Sequence, residues 1–163
     1  MVDAAGWPRR GAGFLAMGVC DHHVMSDQST IRRATADDLD FLAAHDRHVR
    51  TEVLRARVEA AQVLVVEQSS GLLGWLRWGL FWDEIPFMNM LFVLEDNRDC
   101  GLGGDLVDVW EDIVRADGHS VAMTSTRSDE SARHFYRRRG YVDSGVLLLP
   151  GEPAEVILRQ ELA

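Results

Sequence analysis

From residue 30 onward the apolar positions fall into alternating strand-like and helix-like rhythms. Thr30 to Ala34 reads as a short strand. Thr35, with Asp38 three residues on, resembles a capping box and opens a helix bearing Leu39, Leu42 and Ala43. A second helical stretch from about His48 to Ala60 carries Val49, Val53, Leu54 and Val58. Val63 to Glu67 reads as a buried strand, Ser69-Ser70-Gly71 as a turn, and Leu72 to Trp82 as a long aromatic-rich strand. Asp83-Glu84-Ile85-Pro86 interrupts the pattern before a further strand, Phe87 to Leu94. A glycine-containing turn, Arg98 to Gly104, leads into a helix whose apolar face is Leu102, Leu106, Val109, Trp110 and Ile113, ended by Gly118. Val121 to Thr126 is a strand. Ser128 or Asp129 can cap a short helix from Glu130 to Arg139, closed by Gly140. Tyr141 to Leu149 and Glu155 to Leu162 are the last two strands.

The resulting order is β-α-α-β-β-β-α-β-α-β-β, with no internal repeat and no low-complexity linker. It implies one mixed α/β domain over residues 30–163, in which a helix crosses over between strand 85–94 and strand 121–126. Residues 1–29 carry no sustained period and read as an N-terminal extension. The apolar run from Gly11 to Cys20 is too short for a membrane span and lacks the small-residue cleavage site of a signal peptide. A cytoplasmic protein with no membrane partner is therefore expected.

Composition narrows the chemistry chiefly by exclusion. The chain has 163 residues and a net charge of −9, which argues against a nucleic-acid partner. All 17 basic residues are Arg, so any P-loop, Schiff-base or kinase-type lysine is ruled out. Two cysteines, Cys20 and Cys100, make no disulfide framework. Cys20-Asp21-His22-His23 has metal-ligand residue types without a recognised spacing, and no metal is assigned. His45 and His48 read as surface helix residues.

The informative segment is Arg98-Asp99-Cys100-Gly101-Leu102-Gly103-Gly104, between a strand and a helix. A helix N-terminus combines unpaired N–H donors with a positive dipole end, a site suited to phosphate. Gly101, Gly103 and Gly104 would let a phosphate approach the main chain without Cβ interference. A Rossmann G-x-G-x-x-G fingerprint fails, because Leu106 stands where its last glycine belongs.

The run Leu91-Phe92-Val93 followed by Arg98-x-x-Gly101-x-Gly103 resembles the pyrophosphate-binding motif of the GNAT N-acetyltransferases. Ala132-Arg133-His134-Phe135-Tyr136-Arg137-Arg138-Arg139-Gly140-Tyr141 is similar to that family's A-x-x-F-Y-x-x-x-G-F/Y segment. The resemblance covers roughly residues 30–163. It implies a GNAT-like fold, with a central mixed, mostly antiparallel sheet of six to seven strands, splayed in the middle and flanked by about four helices. It also implies direct acetyl transfer from acetyl-CoA to a primary amine of a small molecule or peptide. Main-chain groups of Leu91, Phe92 and Val93 would line the pantetheine slot. N–H groups from Asp99 through Cys100 to Gly104 would hold the pyrophosphate, with Arg98 and Asp129 beside the cofactor. An N–H near Val93 would face the developing oxyanion.

In the same resemblance Tyr136 is the general acid for the departing thiolate, the alternative being a core aromatic. The family often places a Glu base on the central strand, but position 89 is Asn. Glu84 is the nearest candidate base, acting through water, with Asp83 beside it read as part of a solvated turn. Asp105 stands where a basic or hydroxyl residue commonly assists phosphate binding. Arg137-Arg138-Arg139 either meets the 3′-phosphate or complements a helix C-terminus. Trp75, Trp78, Phe81 and Trp82 beside Asp83 and Glu84 suggest an aromatic wall suited to a cationic amine, although half or more of these rings are expected in the core or a dimer interface. Two alternatives accompany the enzyme reading: a non-catalytic acyl-CoA-binding module, and a protein-interaction domain. A homodimer is left open.

Overall fold

Side chains alternate across a strand, so a strand covered on both faces is apolar at successive positions, and β2 (Val63–Gln68) shows it: Val63 to Val66 are all buried. The computed structural model describes residues 29–162. Its remaining elements are β1 (Thr30–Arg33), α1 (Leu39–His45), α2 (Thr51–Glu59), β3 (Gly71–Phe81), β4 (Ile85–Val93), α3 (Leu102–Ala116), β5 (Val121–Arg127), α4 (Ala132–Arg138), β6 (Val142–Leu147) and β7 (Glu155–Glu161). The seven strands form one sheet in the order β1-β2-β3-β4-β5-β7-β6. All neighbouring pairs are antiparallel except β4 and β5, which α3 joins as a crossover helix. This is the mixed, largely antiparallel sheet with four α-helices that the motifs imply.

The two faces carry separate cores. Leu64, Val66, Leu76, Trp78 and Met88 face Leu102, Leu106, Val107 and Trp110 of α3 and Tyr136 of α4. Val63, Val65 and Trp75 face Leu39 and Leu42 of α1 and Leu54 and Val58 of α2. Trp75 and Trp78 thus point to opposite faces, and both are core residues rather than a wall for an amine. Of the four aromatic rings, Trp82 alone stands out in solvent, 79% exposed at the tip of the β3–β4 hairpin. Its φ of 54° and that of Asp83, 59°, close the turn.

Three boundaries differ from the sequence reading, each for a local reason. Pro86 lies inside β4, opposite Leu80; as the second residue of the strand it sits where a missing N–H is tolerated. Helix α2 begins at Thr51, which leaves His48 and Val49 in the loop that follows α1. Helix α4 begins at Ala132 after Ser131, so neither Ser128 nor Asp129 caps it; Asp129 is paired with Arg127 at 2.8 Å instead. The capping box at Thr35 forms, with Thr35 N donating to Asp38 Oδ2 at 2.7 Å. It opens a single 3-10 turn that leads into α1.

Candidate functional site

The chemistry-bearing geometry begins with one extra residue in β4. Arg77 pairs with Met90 and Trp78 with Met88, so Asn89 has no partner and forms a bulge. β4 pairs with β5 only through Phe87 with Met123 and Met88 with Thr124. Beyond Met88 the two strands part. Leu94 N donates to Leu73 O, so Leu94 and, by alternation, Phe92 turn their main-chain groups to β3. Leu91 and Val93 then direct theirs to the other edge, the edge that β5 has left. A slot results, lined by strand groups that no neighbouring strand takes, of the kind that accepts an extended chain as an added strand. Arg98 enters it from the loop end: its Nε donates to Val93 O at 3.0 Å, and its guanidinium lies 5.2 Å from the Phe92 ring centroid.

At the open end of the slot the chain turns into α3. Asp99 (φ 61°) and Gly101 (φ 88°) are both left-handed, which curls the intervening N–H groups into a concave turn. The first helical bond is Asp105 N to Gly101 O, so the N–H groups of Leu102, Gly103 and Gly104 have no partner within the helix. Cys100 and Asp99 are exposed at this turn, and Leu102 is buried beneath it. A Cβ on Gly103 would stand 3.8 Å from Val93 Cγ2, which places this glycine at the mouth of the slot. A Cβ on Gly104 would stand 3.2 Å from Arg139 Nη1. Arg139 thus brings positive charge to the first turn of α3 while pairing with Asp108 one turn on. Arg137 is bound to Asp143, so two members of the arginine run serve as ties between elements, and Arg139 also borders the loop. Asp105 is exposed on the outer side of the same turn.

At the closed end stands Tyr136. Helix α4 carries it under the sheet, where its hydroxyl lies 3.8 Å from Met88 Sδ and bonds with Thr124. Met88 and Thr124 are the last pair before the strands diverge. Phe135 and Tyr141 hold the ring edge-on, with centroids 5.1 and 5.5 Å away. Tyr141 is itself tied to Glu111 at 2.8 Å. Burial pushes the Tyr136 phenol up to about 12, the Thr124 bond working in the opposite direction. Its proton is therefore held throughout the neutral range. Val93 is five residues from Met88, roughly 16 Å along an extended strand, so its N–H lies far from the Tyr136 end of the slot. Leu91, two residues nearer, offers the slot-facing donor instead.

The opposite face of the same vertex opens into a cavity of about 330 Å³, lined by His48, Arg57, Arg77, Phe87, Asn89 and Ser125 together with two valines near the start of α2. Arg77 is buried and pairs through Nε with Asp46 Oδ2 at 2.9 Å; the Asp46 side chain is fully buried. Asp46 ends α1, and its other oxygen accepts from His48 N at 3.3 Å. One buried ion pair therefore fixes the loop between α1 and α2 over the cavity. Glu84 does not join this group. It lies at the hairpin tip, exposed, four residues before Met88, about 13 Å along the strand. Asp129 lies at the β5–α4 turn, where the Arg127 guanidinium lowers its carboxyl below the usual range. Sequence reasoning missed His48, Arg57 and Arg77, whose convergence depends on contacts between residues some thirty positions apart. Cys20-Asp21-His22-His23 lies outside the described residues, and among those described no cluster of three or more His, Cys, Asp or Glu is placed to hold a metal. Among them, too, no helix is long and apolar enough to cross a membrane.

Residues 59–143 match the family model of the acetyltransferase (GNAT) domain. Among solved structures the chain is similar to Ard1 from Thermoplasma volcanium, with a TM-score of 0.72 at 15% identity over 83% of this chain and 98% of that one. It is similar to the ribosomal-protein-S18-alanine N-acetyltransferase from Escherichia coli, with a TM-score of 0.70 at 14% identity over 83% and 95%. It also resembles N-acetylglutamate synthase from Neisseria gonorrhoeae, solved with coenzyme A and N-acetyl-glutamate, with a TM-score of 0.72 at 20% identity over 85% of this chain and 36% of that one. A comparison with curated proteins finds no match.

Proposed function

The chain belongs to the GNAT acetyltransferase family, and from that premise we propose that it transfers an acetyl group from acetyl-CoA directly to a primary amine. The observation that carries this reading is the position of Tyr136 at the vertex of the slot, with the glycine turn at its other end. The N–H groups between Asp99 and Gly104 bind the pyrophosphate, and Arg139 adds charge beside them. Leu91 and Val93 hold the pantetheine arm through their main chain. Leu91 N–H faces the carbonyl on which negative charge develops, a contact worth more in the transition state than in the ground state.

The amine approaches from the cavity on the α1/α2 face, through the gap beside Asn89. It loses one proton as the thiolate gains one, so the exchange leaves no net charge. A phenol near 12 is a weaker acid than an ordinary thiol near 8.5, so transfer of its proton to sulfur is uphill; Tyr136 supplies chiefly a hydrogen bond to the departing sulfur, and the proton the amine gives up balances the one the sulfur gains. On the amine side His48 lines the cavity, whereas Glu84 acts only through a water relay from the hairpin tip. A pH–rate comparison separates them: loss of the acidic limb in His48→Ala, with the limb intact in Glu84→Gln, assigns the proton to His48, and the reverse assigns it to Glu84.

Calorimetric titration with acetyl-CoA, using NAD as comparator, tests the reading as a whole. Micromolar affinity for acetyl-CoA alone is expected. Absence of binding overturns it.

A further inference from the structure

Arg57 projects from α2 across the sheet onto β3. A Cβ on Gly79 would be 3.1 Å from its Cζ, 3.1 Å from Nη2 and 3.2 Å from Nη1. Near-equal distances mean that the guanidinium lies flat on the glycine, at a separation that a side chain there would crowd. Nη1 donates to Gln62 Oε1 at 2.6 Å, and among the described residues Arg57 makes no ion pair. The neighbouring Arg77 is neutralised by Asp46, and among the described residues no acidic side chain lines the cavity. The cavity therefore carries one uncompensated, pre-oriented fork of donors, in a chain that is otherwise strongly acidic. Such a fork matches a carboxylate.

Its position fixes the geometry of the ligand. Gly79 pairs with Phe87, and the bulge at Asn89 lies two residues further along the neighbouring strand. From Gly79 to the vertex is thus one strand spacing and two residue steps, about 8 Å. A carboxylate within ~2.9 Å of the guanidinium and an amine within ~3–3.5 Å of the thioester carbon leave room for the short skeleton of an amino acid between them. A cavity of about 330 Å³ has room for a molecule of that size.

We propose, building on the acetyltransferase reading above, that Arg57 is the specificity-determining residue for a free amino acid, whose carboxylate it binds while the amine faces the slot. This reverses the expectation of a cationic acceptor drawn from the aromatic strand and the carboxylates beside it. Arg57 does not act on the reacting atoms; it selects and orients the acceptor.

The test compares acetylation of alanine, methionine and glutamate with that of their carboxamides, and of peptides bearing the same N-terminal residues. The wild-type protein should favour at least one free acid over its amide and its peptide by about 30-fold in kcat/KM. In Arg57→Gln that preference should collapse to within about threefold, through KM rather than kcat, and Arg57→Lys should restore part of it. Equal rates for acid, amide and peptide in the wild-type protein overturn the proposal without recourse to any variant. So does a loss in Arg57→Gln that falls equally on acid and amide, the mark of a structural role. If acetyl-CoA binds but none of these amines is acetylated, the acceptor assignment falls and the cofactor assignment stands. If acetyl-CoA does not bind, the transferase reading itself falls.

Discussion

On the α3/α4 face, the features that would hold acetyl-CoA come from two short contiguous segments, residues 91–104 and 132–141; on the α1/α2 face, the cavity that would hold the acceptor is assembled from single side chains on α2, β3, β4, β5 and the loop after α1. The first face would work through the main chain, with a bulge that opens the slot and glycines that would admit a phosphate. Backbone recognition needs residues in fixed local sequence, because a turn and a helix start are local objects. The second face works through side chains whose positions depend on a buried ion pair, Asp46 with Arg77, and on a guanidinium laid over a glycine. Any residues that fold into those places would suffice. The cofactor side is thus constrained as a motif and the acceptor side only as a constellation, so acceptor choice can change without disturbing the cofactor slot.

The largest expected effect breaks the acceptor side. Asp46→Ala removes one partner of a pair with side chains 8% and 0% exposed and leaves the Arg77 charge buried and unpaired, at a cost of about 3–5 kcal/mol. For a chain of this size that is a fall of about 6–20 °C in Tm. Removing both charges, as in Asp46→Ala with Arg77→Met, should cost less than Asp46→Ala alone, measured by thermal unfolding. A double variant as unstable as the sum of its parts would show that the pair is not what fixes this loop.

The next effect lies on the cofactor side. Tyr136→Phe keeps the ring in its aromatic nest and removes only the hydroxyl at Met88 and Thr124. It should lower kcat by about 10²–10⁴-fold while acetyl-CoA affinity changes little. The pH dependence has a definite sign. The folded phenol sits near 12, above its ordinary value of 10.0, so its neutral form is favoured by folding. The stability it contributes is fully present below pH ~10 and is lost as pH rises towards ~12. Wild-type kcat should accordingly show no alkaline decline from this group between pH 8 and 10. A decline there that Tyr136→Phe abolishes would mean that the phenol titrates near its ordinary value and that burial does not hold its proton.

Strand and helix order, the crossover helix and the glycine turn were legible in the sequence because each rests on local periodicity or local turn chemistry. Tyr136 was legible for the same reason, as part of a run along one helix. The strand alternation sets Trp75 and Trp78 on opposite faces, and the expectation that half or more of the four rings lie in the core holds through these two; which two it is depends on helices packing on both sides of β3. Pro86 misled, since a proline looks like a strand breaker until its place at the strand start is known. Glu84 was chosen by nearness in sequence to the central strand, and four extended residues carry it away from the vertex. His48, Arg57 and Arg77 had no local signal. Arg57 needed Gly79, 22 positions on, and Arg77 needed Asp46, 31 positions back.

The smallest of the three effects tests whether a glycine on the cofactor side serves the ligand or the fold. Gly74 serves the fold: a Cβ there would lie 2.6 Å from Phe92 O, a clash between β3 and β4 backbones. Gly103 has no such clash, its nearest neighbours being Val93 Cγ2 at 3.8 Å and Leu91 Cδ2 at 4.0 Å, ordinary contact distances. Its φ does not demand glycine either, since it is not among the positive-φ residues. The protein would thus accept a methyl group at 103, and the two further methyls of valine would project into the slot mouth beside the N–H groups of the α3 turn. Gly103→Val should therefore weaken acetyl-CoA binding by about 100-fold, roughly 2.7 kcal/mol, with Tm within a few degrees of wild type. Gly103→Ala should fall between the two. Unchanged affinity in Gly103→Val would remove the turn from the binding site, and the cofactor side would then be as dependent on scattered side chains as the acceptor side.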